Sequence, residues 1–199
     1  YFEPAVQFGM TATPLREDSR DTYDYFGNPI YTYSLRQGIE DGYLAPYKVI
    51  RTDGSFEIRE YPELKIATTA REGDDSSFMK LFRYIDSNKI PMTAPVEAGI
   101  SPGTMVFYLD EASAKRADLA ETAQVKLSSV PARRVAAIGI RGSYSRENYD
   151  EALAELRAWL ARNTEVKAVG QPYAVYWNSP FVPFFLKQSE VHIPVAPAK

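Results

Sequence analysis

Two amphipathic segments, each set between runs of strand-forming residues, constrain this chain more than any other feature of its sequence. In the first, Phe78, Leu81, Phe82 and Ile85 fall at helical positions 0, 3, 4 and 7. In the second, Tyr149, Leu153, Leu156 and Leu160 form the stripe, with Trp159 beside it and Ser145 as its cap. Strands are predicted at 47–50, 56–61, 65–70, 104–109, 125–129, 134–141, 174–177 and 190–194. Asp53-Gly54 reads as a hairpin turn, Ser76 as the cap of the first helix and Ser87-Asn88 as its end. The order is strands, helix, strands, twice over. It predicts an α+β fold with a duplicated half, each helix lying on one side of a mostly antiparallel sheet.

Charge and composition narrow the function. The chain carries 23 bases against 26 acids, a net of −3, which argues against a phosphate-tracking surface, so nucleic acid is not an expected partner. The absence of cysteine excludes disulfides, thiolate metal sites and thiol catalysis. His192 is the only histidine, so a two-histidine zinc motif is impossible within one chain. No apolar run approaches the ~18 residues of a membrane span, and no signal-peptide pattern opens the chain, so a cytoplasmic location is the expectation. Oligomeric state is left open. The 14 Tyr, 10 Phe and 2 Trp favour a partner with a flat apolar face.

The chain divides at about 44–50. Residues 1–44 hold three Arg and seven acids, a net of −4, so the remainder carries +1. The first part has one short apolar stretch, Val6 to Met10, and little periodicity, and is expected to dock loosely or stay irregular. The second has a complete core pattern.

Residues 44–199 resemble the SOUL haem-binding protein family. The resemblance rests on Tyr47-Lys48-Val49-Ile50 with Phe56–Pro62, on Phe78–Ile85, and on Lys89-Ile90-Pro91-Met92-Thr93-Ala94-Pro95-Val96. Pro131–Ala136 and the closing Ser189-Glu190-Val191-His192-Ile193-Pro194-Val195 complete it. It implies a pseudo-two-fold distorted antiparallel β-barrel with two flanking helices. It also implies reversible, non-covalent binding of haem or a related tetrapyrrole in an apolar cleft. That cleft would have Phe78, Leu81, Phe82, Ile85 and Met92 on one wall, and Phe181, Val182, Phe184, Phe185 and Leu186 on the other. Arg83 and Lys187 are the nearest cations for the ring carboxylates. The chain departs from the family in a short Asp86–Lys89 connection and in a more apolar 178–185 loop.

The first part is similar to the helicase motor of type I restriction endonuclease R subunits. Phe8-Gly9-Met10-Thr11-Ala12-Thr13-Pro14, Asp21–Gly27 and Tyr31–Tyr47 carry that likeness. The 199 residues hold no Gly-Lys-Thr/Ser phosphate loop, so a non-functional motor fragment is expected.

Competing readings are bland. Met105–Glu111 imitates a Walker B strand but reads better as a core strand leaving into a turn. If Val191 and Ile193 face inward, His192 faces solvent and is a weak iron ligand; Tyr84, Tyr173, Tyr176 or Met92 could serve instead. Glu57, Glu60, Glu147, Glu151 and Glu155 lack partners at catalytic spacing, and no Ser or Thr has an evident base, so catalysis is not expected. The alternatives are a small-molecule-sensing or interaction module without haem specificity and a tetrapyrrole-modifying enzyme.

Overall fold

The structure, a computed structural model, describes residues 34–99 and 103–198. The chain falls into two compact units, Tyr1–Gln37 and Gly38–Lys199. The Val6–Met10 stretch and the motor-like motif of residues 8–27 lie outside the described residues. The short helix α1 (Leu35–Glu40) opens on a reciprocal cap, where the Ser34 N–H donates to Gln37 Oε1 at 2.8 Å and the Gln37 N–H donates to Ser34 Oγ at 3.1 Å.

The second unit runs β1 (Lys48–Asp53), β2 (Phe56–Tyr61), β3 (Leu64–Ala70), α2 (Asp74–Ser87), β4 (Val96–Gly99), β5 (Thr104–Tyr108) and α3 (Glu111–Ala114). It continues with β6 (Lys126–Val130), β7 (Arg133–Arg141), α4 (Arg146–Arg162), β8 (Val166–Ala168), β9 (Tyr173–Tyr176) and β10 (Gln188–Pro197). All ten strands join one antiparallel sheet in the order β1-β2-β7-β10-β9-β4-β5-β3-β6, with β8 on the far end of β10. The order is symmetric about the β4–β9 pair: β5 answers β10, β3 answers β7, and β6 answers β2. Each half is thus two strands, a helix and two strands, and its first strand pairs with the other half's second strand (β2 on β7, β6 on β3). This is the α+β, duplicated, curled antiparallel architecture the element order predicts.

Burial explains the curl. Helix α2 covers Ala67, Val96, Met105 and Phe107, and α4 covers Ile58, Ala136, Ile138, Val191 and Ile193. The opposite face gathers Tyr61, Leu64, Ile66, Val106, Tyr108 and Val135 into a third core inside the curl. Strands such as β5 and β10 are therefore buried on both faces, and a polar side chain there cannot reach water.

That corrects the orientation of His192. Val191 and Ile193 do face α4, but the other face of β10 is the inside of the barrel, and His192 is only 1% exposed. Smaller corrections are local. The first hairpin turns at Gly54-Ser55, because Asp53 pairs with Phe56 and only Gly54 readily takes φ 59°. Helix α2 starts at Asp74 after Gly73, with no side-chain cap; Ser76 lies inside its first turn and its Oγ donates to the Gly73 carbonyl at 3.2 Å. Strands β4 and β8 and helix α3 escape the sequence reading. Asp110 is the N-cap of α3, its carboxylate accepting the Ser113 N–H at 3.3 Å, which gives the Walker-like acid a structural role.

One glycine is held by packing. A Cβ on Gly170 would lie 2.8 Å from Pro194 Cγ and 2.9 Å from its Cβ, on a ring that β10 cannot move aside. Gly170→Ala is expected to destabilise the fold by about 1–3 kcal/mol through overpacking, read as a lower urea midpoint. An unchanged midpoint would show that this corner yields.

Candidate functional site

The α2 stripe is wider than the core beneath it. Leu81 and Ile85, 0% and 3% exposed, point into that core, so neither belongs to a cleft wall. Phe78 and Phe82 sit at its edge with rings stacked 6.0 Å apart, Phe78 edge-on to Phe107 and Phe82 left 39% exposed. They border an open groove of about 460 Å³, a size typical of small-molecule sites. Its floor is the β4–β9 seam, where Val96 pairs with Tyr176; its far wall is the chain after β9, Trp177 to Phe181.

The Lys89–Val96 motif forms the end of the groove. Its backbone is strapped in place by the Ala45 N–H on the Ala94 carbonyl (2.8 Å) and the Ala94 N–H on the Tyr43 carbonyl (2.9 Å). Thr93 Oγ1 donates to the Tyr108 carbonyl, and the Ala94–Pro95 bond is cis. With Thr93 and Pro95 buried, Met92 and Ala94 are laid against the groove. An adjoining hollow of about 300 Å³ shares Phe78, Val96, Tyr176 and Asn178 with it and is lined further on by Tyr144 and Lys187. Tyr144 stacks on Tyr176 with centroids 4.2 Å apart, and Lys187 Nζ lies 4.8 Å from the centre of the Tyr144 ring.

The loop between β9 and β10 is clamped at its base and open at its tip. The Asn178 N–H donates to Tyr144 Oη at 3.1 Å, the Gln188 N–H donates to Asn178 Oδ1 at 2.6 Å, and the Trp177 N–H donates to the Gln188 carbonyl at 3.1 Å. Beyond that clamp Phe181, Phe184, Phe185 and Leu186 are 58–79% exposed. Phe181 lines the groove, whereas Phe184 and Phe185 stand outside it on a single 3-10 turn (Phe184–Leu186). Arg83 is exposed on α2 and borders neither hollow. The structure therefore brings together Phe78, Phe82, Met92 and Phe181, with Lys187 next door. Nothing in the sequence marks Tyr43, Met79 or Tyr144 for this groove, and the run Gly142-Ser143-Tyr144 reads only as a turn.

Among the alternative iron ligands, Tyr176 and Met92 border the groove. Tyr84 does not: its hydroxyl donates to the Ala120 carbonyl at 3.0 Å. Tyr173 and His192 face the barrel interior, their rings 5.4 Å apart. There His192 Nε2 meets Glu190 at 2.7 Å, and Arg59 holds the same carboxylate through Nη1 and Nη2 at 2.7 and 2.9 Å. Burial alone would raise the Glu190 carboxyl, but His192 and Arg59 outweigh it and hold it at about 2. Burial lowers His192, so its ring is neutral, with Nε2–H donating and Nδ1 left without a partner. Glu57 and Glu60 also have cationic partners, Arg59 and Arg134.

Directly behind the groove floor, on the inner face of the same two strands, lies Glu97. It accepts from Tyr108 Oη and from Arg133 Nη2, and burial pushes its carboxyl up to about 7 despite Arg133 beside it.

The fold and groove together define an α+β, barrel-like domain with an open apolar groove on one side. The family model for the SOUL heme-binding protein matches residues 44–194, and the chain belongs to that family. A SWI2/SNF2 ATPase model matches residues 1–75. A type I restriction enzyme EcoAI endonuclease subunit of Escherichia coli is 49% identical over 65 residues, 33% of this chain. The chain spans only 8% of that protein's length. At the level of fold, the EcmrR C-terminal domain is similar with a TM-score of 0.50 at 15% identity, covering 71% of this chain and 96% of that one. A hydrolase from Listeria innocua is similar with a TM-score of 0.50 at 11% identity, covering 74% and 94%. Among the described residues no helix is long and apolar enough to cross a membrane.

Proposed function

We propose that this chain binds haem or a related tetrapyrrole reversibly in the groove between α2 and the 177–187 loop. The observation that carries this reading is an apolar, largely aromatic groove lined by Phe78, Met92 and Tyr176, with Phe82 and Phe181 exposed on its two walls. A flat ring buried there removes both its own apolar face and these side chains from water. Lys187 supplies a charge for a ring carboxylate at the adjoining hollow. Where iron is present, Met92 is the groove-lining residue of a type that could ligate it; the one imidazole belongs to the Glu190–Arg59 cluster. Binding and release, with no covalent step, is the proposed activity.

Titration with hemin, followed at the Soret band, is the test. A saturable shift in the micromolar range is expected, and His192→Ala is expected to keep it while losing stability, because that side chain faces away from the groove. No saturable shift overturns the reading. Displacement of a fluorescent apolar probe by diverse ligands but not by hemin would replace it with a module of broader specificity.

A further inference from the structure

The apolar residues of the loop between β9 and β10 divide into two sets. Phe181 belongs to the groove wall, whereas Phe184, Phe185 and Leu186 stand outside it, 66%, 67% and 58% exposed. Their turn is built rather than slack. Pro180 and Pro183 restrict the backbone before it. The Leu186 N–H donates to the Pro183 carbonyl at 3.0 Å, and the Lys187 N–H to the Phe184 carbonyl at 3.2 Å. The two phenyl rings meet edge to face with centroids 5.5 Å apart, and the Tyr144–Asn178–Gln188 clamp fixes the base. Three large apolar side chains are thereby held out in water as one contiguous patch, which marks an interaction surface.

The charge around that patch has one sign. The whole chain is acidic, yet no Asp or Glu occurs between Glu165 and Glu190. Lys187 ends the turn, and the exposed Arg141 stands opposite Gln188 in the β7–β10 ladder, where the Gly142 N–H donates to the Lys187 carbonyl at 2.9 Å. Half-buried Trp177 and Tyr144 lie at the clamp. Phenyl and aliphatic groups at the tip, with amphipathic rings and cations one step behind, follow the order of a bilayer surface from acyl chains to headgroups. We propose that the 180–187 loop is a membrane-surface anchor. Phe184, Phe185 and Leu186 enter the acyl boundary of an anionic bilayer, and Lys187 and Arg141 meet its lipid phosphates. A protein partner fits the tip less well, because three side chains on one turn supply only a fraction of the roughly 800 Å² that a stable interface buries on each side. The inference does not depend on what the groove takes.

Cosedimentation of the full chain with phosphatidylcholine vesicles containing about a quarter phosphatidylglycerol tests this. Saturable binding is expected, about tenfold weaker on phosphatidylcholine alone. Phe184→Asp/Phe185→Asp is expected to weaken it at least about 100-fold. The same variant should keep its urea midpoint and its hemin titration, since both rings stand outside the core and the groove. Lys187→Gln/Arg141→Gln is expected to remove the preference for anionic vesicles. Absence of vesicle binding, binding undiminished in the folded Phe184→Asp/Phe185→Asp variant, or self-association without lipid that this variant abolishes, each overturns the proposal.

Discussion

The Phe82→Asp/Phe181→Asp double variant is expected to bind hemin at least about 100-fold more weakly than the natural chain. Each ring contributes about 1.5–3 kcal/mol when a ligand covers it, roughly tenfold or more in affinity, and the two lie on opposite walls of the groove. An aspartate at either position adds the cost of desolvating a carboxylate. The fold should tolerate both changes, because Phe82 is 39% and Phe181 79% exposed. A Soret titration beside a urea melt separates the two effects. Undiminished affinity in a folded double variant would remove this groove from the proposed function.

Glu97→Gln is expected to change how stability depends on pH by about 3 kcal/mol. The folded carboxyl holds its proton up to about 7, against 4.5 when unfolded, so the native state binds the extra proton between those values. From this group, stability is highest below pH 4.5, declines as pH rises through that window and stays low above 7. Glutamine mimics the neutral acid and abolishes the decline. His192 acts in the opposite sense, since its lowered value makes stability fall as pH drops below 6.5, and Glu190 matters only as pH falls from 4.5 toward 2. Because both are present in both proteins, the difference between their urea-derived stabilities from pH 5 to pH 8 isolates Glu97. Parallel curves would refute the assignment.

Much of this architecture is legible in the residues themselves. The α4 stripe, the Ser145 cap, eight of the ten strands and the repeated element order follow from periodicity and turn chemistry, and the Lys89–Val96 motif leads to the groove. What fails does so for one physical reason. Alternation along a strand separates two faces but does not say that either meets solvent, and in β10 neither does. His192 therefore reads as surface, and the buried acids Glu97 and Glu190 do not stand out from exposed carboxylates. A helical stripe likewise cannot tell Leu81 from Phe82, which differ only in which side of α2 the sheet leaves open. Phe184 and Phe185 show the converse limit, since apolar residues in a loop carry no signal of whether they line a hollow or stand beside it.

The exchange of first strands between halves has a consequence for how such a chain can be made. When synthesis has reached residue 110, β2 still has no β7 to lie against and β3 has no β6, so the N-terminal half leaves the ribosome with two open seams. Those seams close only once β6 and β7 have been made, and β4 waits longer still for β9, so the late, long-range pairings favour slow, all-or-none acquisition of structure. The groove shares that timing, because its second wall is the loop immediately before β10. If the groove is the ligand site proposed above, a nascent or truncated chain lacking that loop is not expected to bind hemin.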